Sequence, residues 1–216
     1  MSDPAGIFSG MFSAPYPTDD EVVAELGDKF LDSLVAAVRG ARNDLNDMRG
    51  WRPGWFPTMH ARCLSNLIHD RMWAHLVTLI DSDADANIIE VGPTREIALG
   101  IHLRLRIKRH LAGDRISTYP TRTAIEFWRQ NTDTLPGLEE VRIAVGYRWD
   151  RELREIEAPV VSLRDGKDNV IWAIELSEPA EGEKVSWKPI EPTLPTIDLG
   201  DLASDAEDDE GEASTS

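Results

Sequence analysis

At 216 residues, with 41% hydrophobic content and seven Trp, the chain is sized for one domain with a real core. Its formal net charge of −16 argues against indiscriminate nucleic-acid binding, and no apolar run approaches the ~18 residues of a membrane span. A single cysteine, Cys63, rules out an internal disulfide and suits a reducing cytoplasm, the expected localisation; no secretory leader is recognisable.

Residues 1–17 are rich in Gly, Pro and Ser and read as a flexible N-terminal arm. Thr18-Asp19-Asp20-Glu21 is a capping-box pattern that opens a helix. Val22, Leu26, Phe30, Leu34 and Val38 recur every four residues, so the helix is one-sided and runs to about Asp47, with Gly40 as its weak point. The stripe has to face the sheet, a second helix or another subunit, which leaves open a homodimer through this helix. The Pro/Gly-rich turn over 50–57 carries Trp51, Trp55 and Phe56, either a ligand-stacking surface or, as expected here, a plug at the end of a helical hairpin.

Thr58 is the expected cap of a second helix reaching Ile80, completing a helical hairpin over 18–80. Cys63 lies on its apolar stripe and reads as a core thiol. His60, His69 and His75 have neither the spacing nor the companion ligands of a zinc site, so no metal and no cofactor are expected.

Strands follow, over 87–91 and 95–99, and then the organising stretch IHLRLRIKRH, residues 101–110. Ile101, Leu103, Leu105 and Ile107 alternate with His102, Arg104, Arg106, Lys108 and His110, as on a strand with one apolar and one cationic face. Same-face residues are roughly 6.8 Å apart, so the ionisable row spans roughly 27 Å and repels itself unless something anionic lies across it. Residues 95–154 carry 12 basic and 8 acidic groups, a net-positive block in an acidic chain.

A third helix is expected from Arg122 to about Asn131, burying Ala124, Ile125 and Trp128. Val141, Ile143, Val145, Tyr147 and Trp149 then mark a second clear strand. Residues 156–163 form another, with Pro159 at an edge or bulge, and 170–176 return from it. The fold class is α+β: an N-terminal helical hairpin, then a mostly antiparallel twisted sheet over 87–176 with one inserted helix, making a single domain over 18–178. Residues 179–216 read as a disordered, Pro-containing acidic tail, long enough to reach and occlude the cationic strand.

The block from Arg104 to Leu176, through RLRIKRH, ISTYPTRTAIEFWRQ, LPGLEEVRIAVGYRWD and NVIWAIEL, resembles uncharacterised bacterial proteins encoded beside helix-turn-helix proteins with an ImmA/IrrE-type peptidase domain. The matching positions are Lys108, Arg109, Tyr119, Pro120, Thr121, Gln130, Gly146 and Tyr147. The resemblance implies a bacterial two-gene module, toxin–antitoxin-like or concerned with prophage immunity, with the helix-turn-helix/peptidase-type protein as partner.

Three functions compete. The first is an interaction or regulatory protein of such a module, binding a partner protein or nucleic acid through His102, Arg104, Arg106, Lys108, Arg109 and His110, with Tyr119, Thr121 and Gln130 around the third helix. The second is a metal-dependent nuclease toxin built from Glu90, Glu96, Asp114 and Lys108, although the Glu-x-Lys spacing of the common restriction-type core is absent. The third is a scaffold without catalytic activity. Phosphate loops, nucleophile elbows and dinucleotide fingerprints are missing, so the balance of the sequence leans away from an enzyme.

Overall fold

The computed structural model describes residues 16–92, 94–119, 121–130, 140–180 and 183–191. Residues 1–15 of the arm and 192–216 of the tail lie outside them.

Helix α1 (Asp19–Trp51) begins as its sequence demands. Glu21 N donates to Thr18 Oγ1 at 3.3 Å, and Thr18 N donates to Glu21 Oε2 at 2.8 Å. The interruption comes at Gly27, not Gly40: Gly27 has φ 72° and ψ 155°, a region open essentially to glycine. Gly40 stays helical because it is a packing glycine, where a Cβ would lie 2.9 Å from the His75 ring of the crossing helix. The helix also runs past Asp47 to Trp51.

A 3-10 turn, Phe56–Thr58, precedes α2 (Ala61–Ile80). The residue before α2 is His60; Thr58, the expected cap, instead donates its hydroxyl to Trp55 O at 2.9 Å. Lys29–Asp83 (3.3 Å) near one end and Arg71–Asp44 (2.6 Å) near the other mark α1 and α2 as antiparallel. Leu64, Ile68, Met72, Leu76 and Ile80 are buried, but Cys63, in the first turn of α2, is exposed and not the core thiol expected.

Among the described residues the sheet has seven strands in sequence order: β1 (Ala86–Val91), β2 (Thr94–Leu99), β3 (Leu103–His110), β4 (Val141–Asp150), β5 (Glu155–Arg164), β6 (Val170–Leu176) and β7 (Trp187–Pro189). All neighbours are antiparallel except β3 and β4. That pair is parallel because α3 (Arg122–Trp128) lies on the connection between them, and a parallel pair needs a long crossover. Among the described residues, three α-helices with this mostly antiparallel sheet make the α+β class.

The two faces are covered differently. Leu103, Leu105, Ile107, Val141, Ile143, Val145, Val161, Leu163 and Ile174 form one core with the stripes of α1 and α2. Phe30 (2% exposed) and Leu34 (0%) sit in it, so the α1 stripe is used up within the chain. On the other face α3 and its approach form a small cluster of Ile116, Phe127, Trp128 and Ala144. Here Phe127 replaces Ile125 on the buried side; Ile125 is 46% exposed, because α3 stops at Trp128 and presents only one turn to the sheet.

Of the two places expected for Pro159, an edge or a bulge, the bulge holds: it lies in an interior strand opposite Tyr147, where the β4–β5 register shifts between Tyr147 and Trp149. One further point differs from the sequence reading. The ordered chain passes residue 178, since β7 pairs with β6 through Leu176↔Trp187 and Ile174↔Pro189. Three residues are too few to show a strand period.

Candidate functional site

The cationic strand begins at Leu103, so Ile101 and His102 belong to the turn before it, and Ile101 is 78% exposed rather than part of the apolar face. Two members of the row on the opposite face, Arg104 and Arg106, meet countercharges inside the fold. Arg104 Nε donates to Glu140 Oε2 at 2.9 Å, and Arg106 Nη2 to Glu96 Oε1 at 2.5 Å. The Arg106 guanidinium also stacks 3.7 Å from the Phe127 ring centroid. Arginines 104 and 142 together hold the Glu140 carboxyl below its usual range, outweighing the upward push of burial.

His110 closes the row fully buried, its Nε2 3.0 Å from Ser162 Oγ. Burial first, then Arg164 and Arg148, pushes its pKa down to about 3, so it is a neutral interior histidine and not a surface ligand. Arg109 points to the opposite face, 5.8 Å from the Trp149 ring centroid. The open cationic row expected from the sequence is therefore a largely internal, paired one.

The residues carried by the family resemblance prove mostly to be structural. Thr121 Oγ1 caps α3 by accepting from Ala124 N at 3.2 Å. Gln130 clips the end of α3 to two strands: its Nε2 donates to Arg142 O and Arg164 O, both at 2.8 Å, and its Oε1 accepts from Arg142 N at 3.1 Å. Gly146 lies against the Lys108 carbonyl with no room for a side chain. Tyr119, 82% exposed, is the exception. Pro120 lies outside the described residues.

The nuclease set does not assemble. Glu90 accepts from Trp73 Nε1 at 2.6 Å on the α2 side of the sheet. Glu96, one residue out of phase with Glu90's register partner Arg95, is on the other face with Arg106. Asp114 is bound to Arg148 at 2.9 Å. Among the described residues, no group of three His, Cys, Asp or Glu side chains could hold a metal ion, and no helix is long and apolar enough to cross a membrane.

The feature that stands out lies at the α1–α2 corner. Trp51 is 67% exposed and Trp55 56% exposed, with ring centroids 6.0 Å apart at 70°. The Arg52 guanidinium lies 4.4 Å from one ring centroid and 5.2 Å from the other. Phe56 is the plug that the sequence suggested: it is buried, with Arg49 at 4.3 Å and Arg154 at 5.0 Å over its ring. The two Trp are not plugs.

The corner is anchored from beneath. Arg154, in the β4–β5 turn at φ 56°, donates to the carbonyls of Phe56 (2.8 Å), Pro57 (3.1 Å) and Met59. Arg49 Nη2 in turn donates to Arg154 O at 3.0 Å and Arg49 Nη1 pairs with Glu155 at 3.0 Å. Leu153, 65% exposed, adds apolar surface next to it. Residues 48–69 hold Arg49, Arg52 and Arg62 and no carboxylate. That acid-free run in an acidic chain was the available sequence signal; nothing local marks Arg154, which acts across almost a hundred residues.

No protein-family model, no curated protein and no solved structure matches this chain.

Proposed function

We propose that the chain is a non-enzymatic interaction protein whose contact surface is the Trp51–Arg52–Trp55 corner, fitted to a protein partner with an apolar cleft and an acidic rim. One observation carries the reading: three carbonyls of the corner are held by Arg154 while both indoles stand in water. Exposing two large aromatic rings forgoes burial that would stabilise the monomer. Fixing the backbone that carries them lowers the ordering cost of binding. Trp and Arg are also the residue types that dominate interface energetics.

The acid-free run from 48 to 69 supports an acidic rim on the partner. The helix-turn-helix/peptidase-type protein of a bacterial two-gene module, implied by the resemblance over 104–176, is the first partner to test. The test is binding of wild type and of the Trp51→Ala/Trp55→Ala pair to that protein by calorimetry. A central hot spot predicts a loss of roughly 30-fold or more, with the melting temperature little changed. Equal binding by the double variant overturns the assignment. Preferential binding of a single-stranded oligonucleotide, for which base stacking on Trp would be responsible, overturns the choice of partner.

A further inference from the structure

The charged row of β3 is balanced at two positions and not at the third. Glu140 meets Arg104 and Glu96 meets Arg106. Lys108, next on that face, has no carboxylate partner among the described residues. The charges that bear on it are those of Arg106 and Arg164, and its ammonium lies 5.8 Å from the Trp128 ring centroid.

Donors outnumber acceptors around it. Arg164 is fully buried; its Nη1 donates to Lys167 O at 2.8 Å and its Nη2 to Asp114 O at 2.7 Å and Ser162 Oγ at 3.0 Å, while its Nε has no partner. Trp128, 1% exposed, leaves its indole N–H without an acceptor, and Arg148 Nε is likewise unmet. The buried carboxylate here, Asp114, is bound to Arg148. Three cations, Lys108, Arg148 and Arg164, thus share one buried carboxylate, with the exposed Asp168 acting on Arg164 from the turn before β6.

Uncompensated charge and orphan N–H groups in an interior are both costly. A small oxyanion relieves both at once, because it brings negative charge and several lone pairs to a cluster that holds donors in excess. A cavity of about 210 Å³ lies against this cluster's outer wall: Trp128 and Lys167, the residue whose carbonyl Arg164 binds, line it together with Arg129.

We infer that Lys108 and Arg164 form, beneath α3, a binding site for a small phosphate-like oxyanion that reaches them past Trp128. This site is separate from the Trp51–Trp55 corner and does not depend on it.

The charge of Lys108 is the handle for a test. Burial first, then Arg106 and Arg164, brings its pKa down to about 8. The charges that act on it are Arg106 on β3 and Arg164 on β5, and it acts in turn on His69 of α2; Glu96 pairs with that Arg106, Asp114 and Asp168 act on that Arg164, and Asp114 also pairs with Arg148 of β4. Burial, then Lys108 and Arg95, lowers the pKa of His69, and His110 is held neutral, so Lys108 is the group that titrates between neutral and mildly alkaline pH. Anion binding then takes up a proton at Lys108, and affinity falls as pH rises through that range.

The experiment is calorimetric titration of the full chain with sodium sulfate, whose charge is constant across the range, against sodium chloride of matched ionic strength. Saturable sulfate binding is expected at neutral pH, weaker by about tenfold one pH unit above the Lys108 pKa than one unit below it. Lys108→Met should abolish it, while Arg122→Met on the exposed side of α3 should not. In anion-free buffer Lys108→Met should melt no lower than wild type, since it removes an unpaired charge. Parallel titrations with inorganic phosphate and with adenosine monophosphate distinguish a free oxyanion from a phosphoryl group on a larger molecule; binding in either arm agrees with the site. No saturable sulfate or phosphate binding beyond chloride, undiminished binding by Lys108→Met, or a lower melting temperature of that variant without anion overturns it.

Discussion

Replacing Gly146 with Ala puts a methyl group where the neighbouring strand already is. A Cβ built on Gly146 lies 1.8 Å from Lys108 O and 2.9 Å from the Lys108 carbonyl carbon, against a favourable separation of roughly 3.5 Å. The obstacle is backbone, not the movable end of a side chain, so β3 and β4 have to part by more than an ångström. Lys108 and Gly146 are register partners in the parallel pair, and the Lys108 carbonyl belongs to its ladder. Parting them takes nearby N–H···O contacts beyond the ~3.2 Å at which such bonds hold. Two ladder bonds at ~1 kcal/mol each, with ~1–3 kcal/mol for a buried group left unpaired, sum to about 3–5 kcal/mol. At ~2–4 °C per kcal/mol for a chain of this size, the melting temperature should fall by about 10 °C. Urea unfolding of the two proteins should show a lower midpoint with an unchanged slope, the mark of lost stability without a change in surface exposed. A melting temperature within about 2 °C of wild type would refute the reasoning, since it would mean that the strands yield without losing their ladder.

Two predictions concern α1. Phe30→Ala empties a site in the main core and should cost about 3–5 kcal/mol in chemical denaturation; a neutral result would mean that α1 is not packed on the sheet. Glu178 binds Arg42 through both oxygens, at 2.6 and 2.9 Å, tying α1 to the segment after β6. The Arg42 hydrogen bonds hold the Glu178 pKa below its ordinary 4.5, outweighing burial. The folded value is the lower one, so the stabilisation is complete above the unfolded value and is lost as pH falls through the folded one. The melting-temperature gap between wild type and Glu178→Gln should therefore be widest near neutral pH and shrink as pH falls below the ordinary carboxylate value toward the lower folded one. A gap independent of pH would show that the charge does not contribute.

What the sequence determined by itself is what short-range chemistry dictates. The Thr18–Glu21 box starts α1 because cap and backbone lie within one turn. The alternation over Val141–Trp149 makes a strand with one face fully apolar, and the 103–107 pattern does the same, because side chains change face at every residue. The tertiary structure decided what lies opposite. Gly27 and Gly40 are the same residue in the same helix; one breaks it and the other is needed where His75 crosses, and only the crossing tells them apart. Cys63 and Ile125 sit on apolar spacings yet face solvent, because helix periodicity names a side of the helix but not whether another element covers it. The cationic face of β3 is as written, but its anions are Glu96 and Glu140, brought in by a neighbouring strand and by the far end of the α3 crossover. Charge and periodicity are properties of a segment, whereas burial and pairing belong to the surfaces that meet, and these are set by contacts across tens of residues.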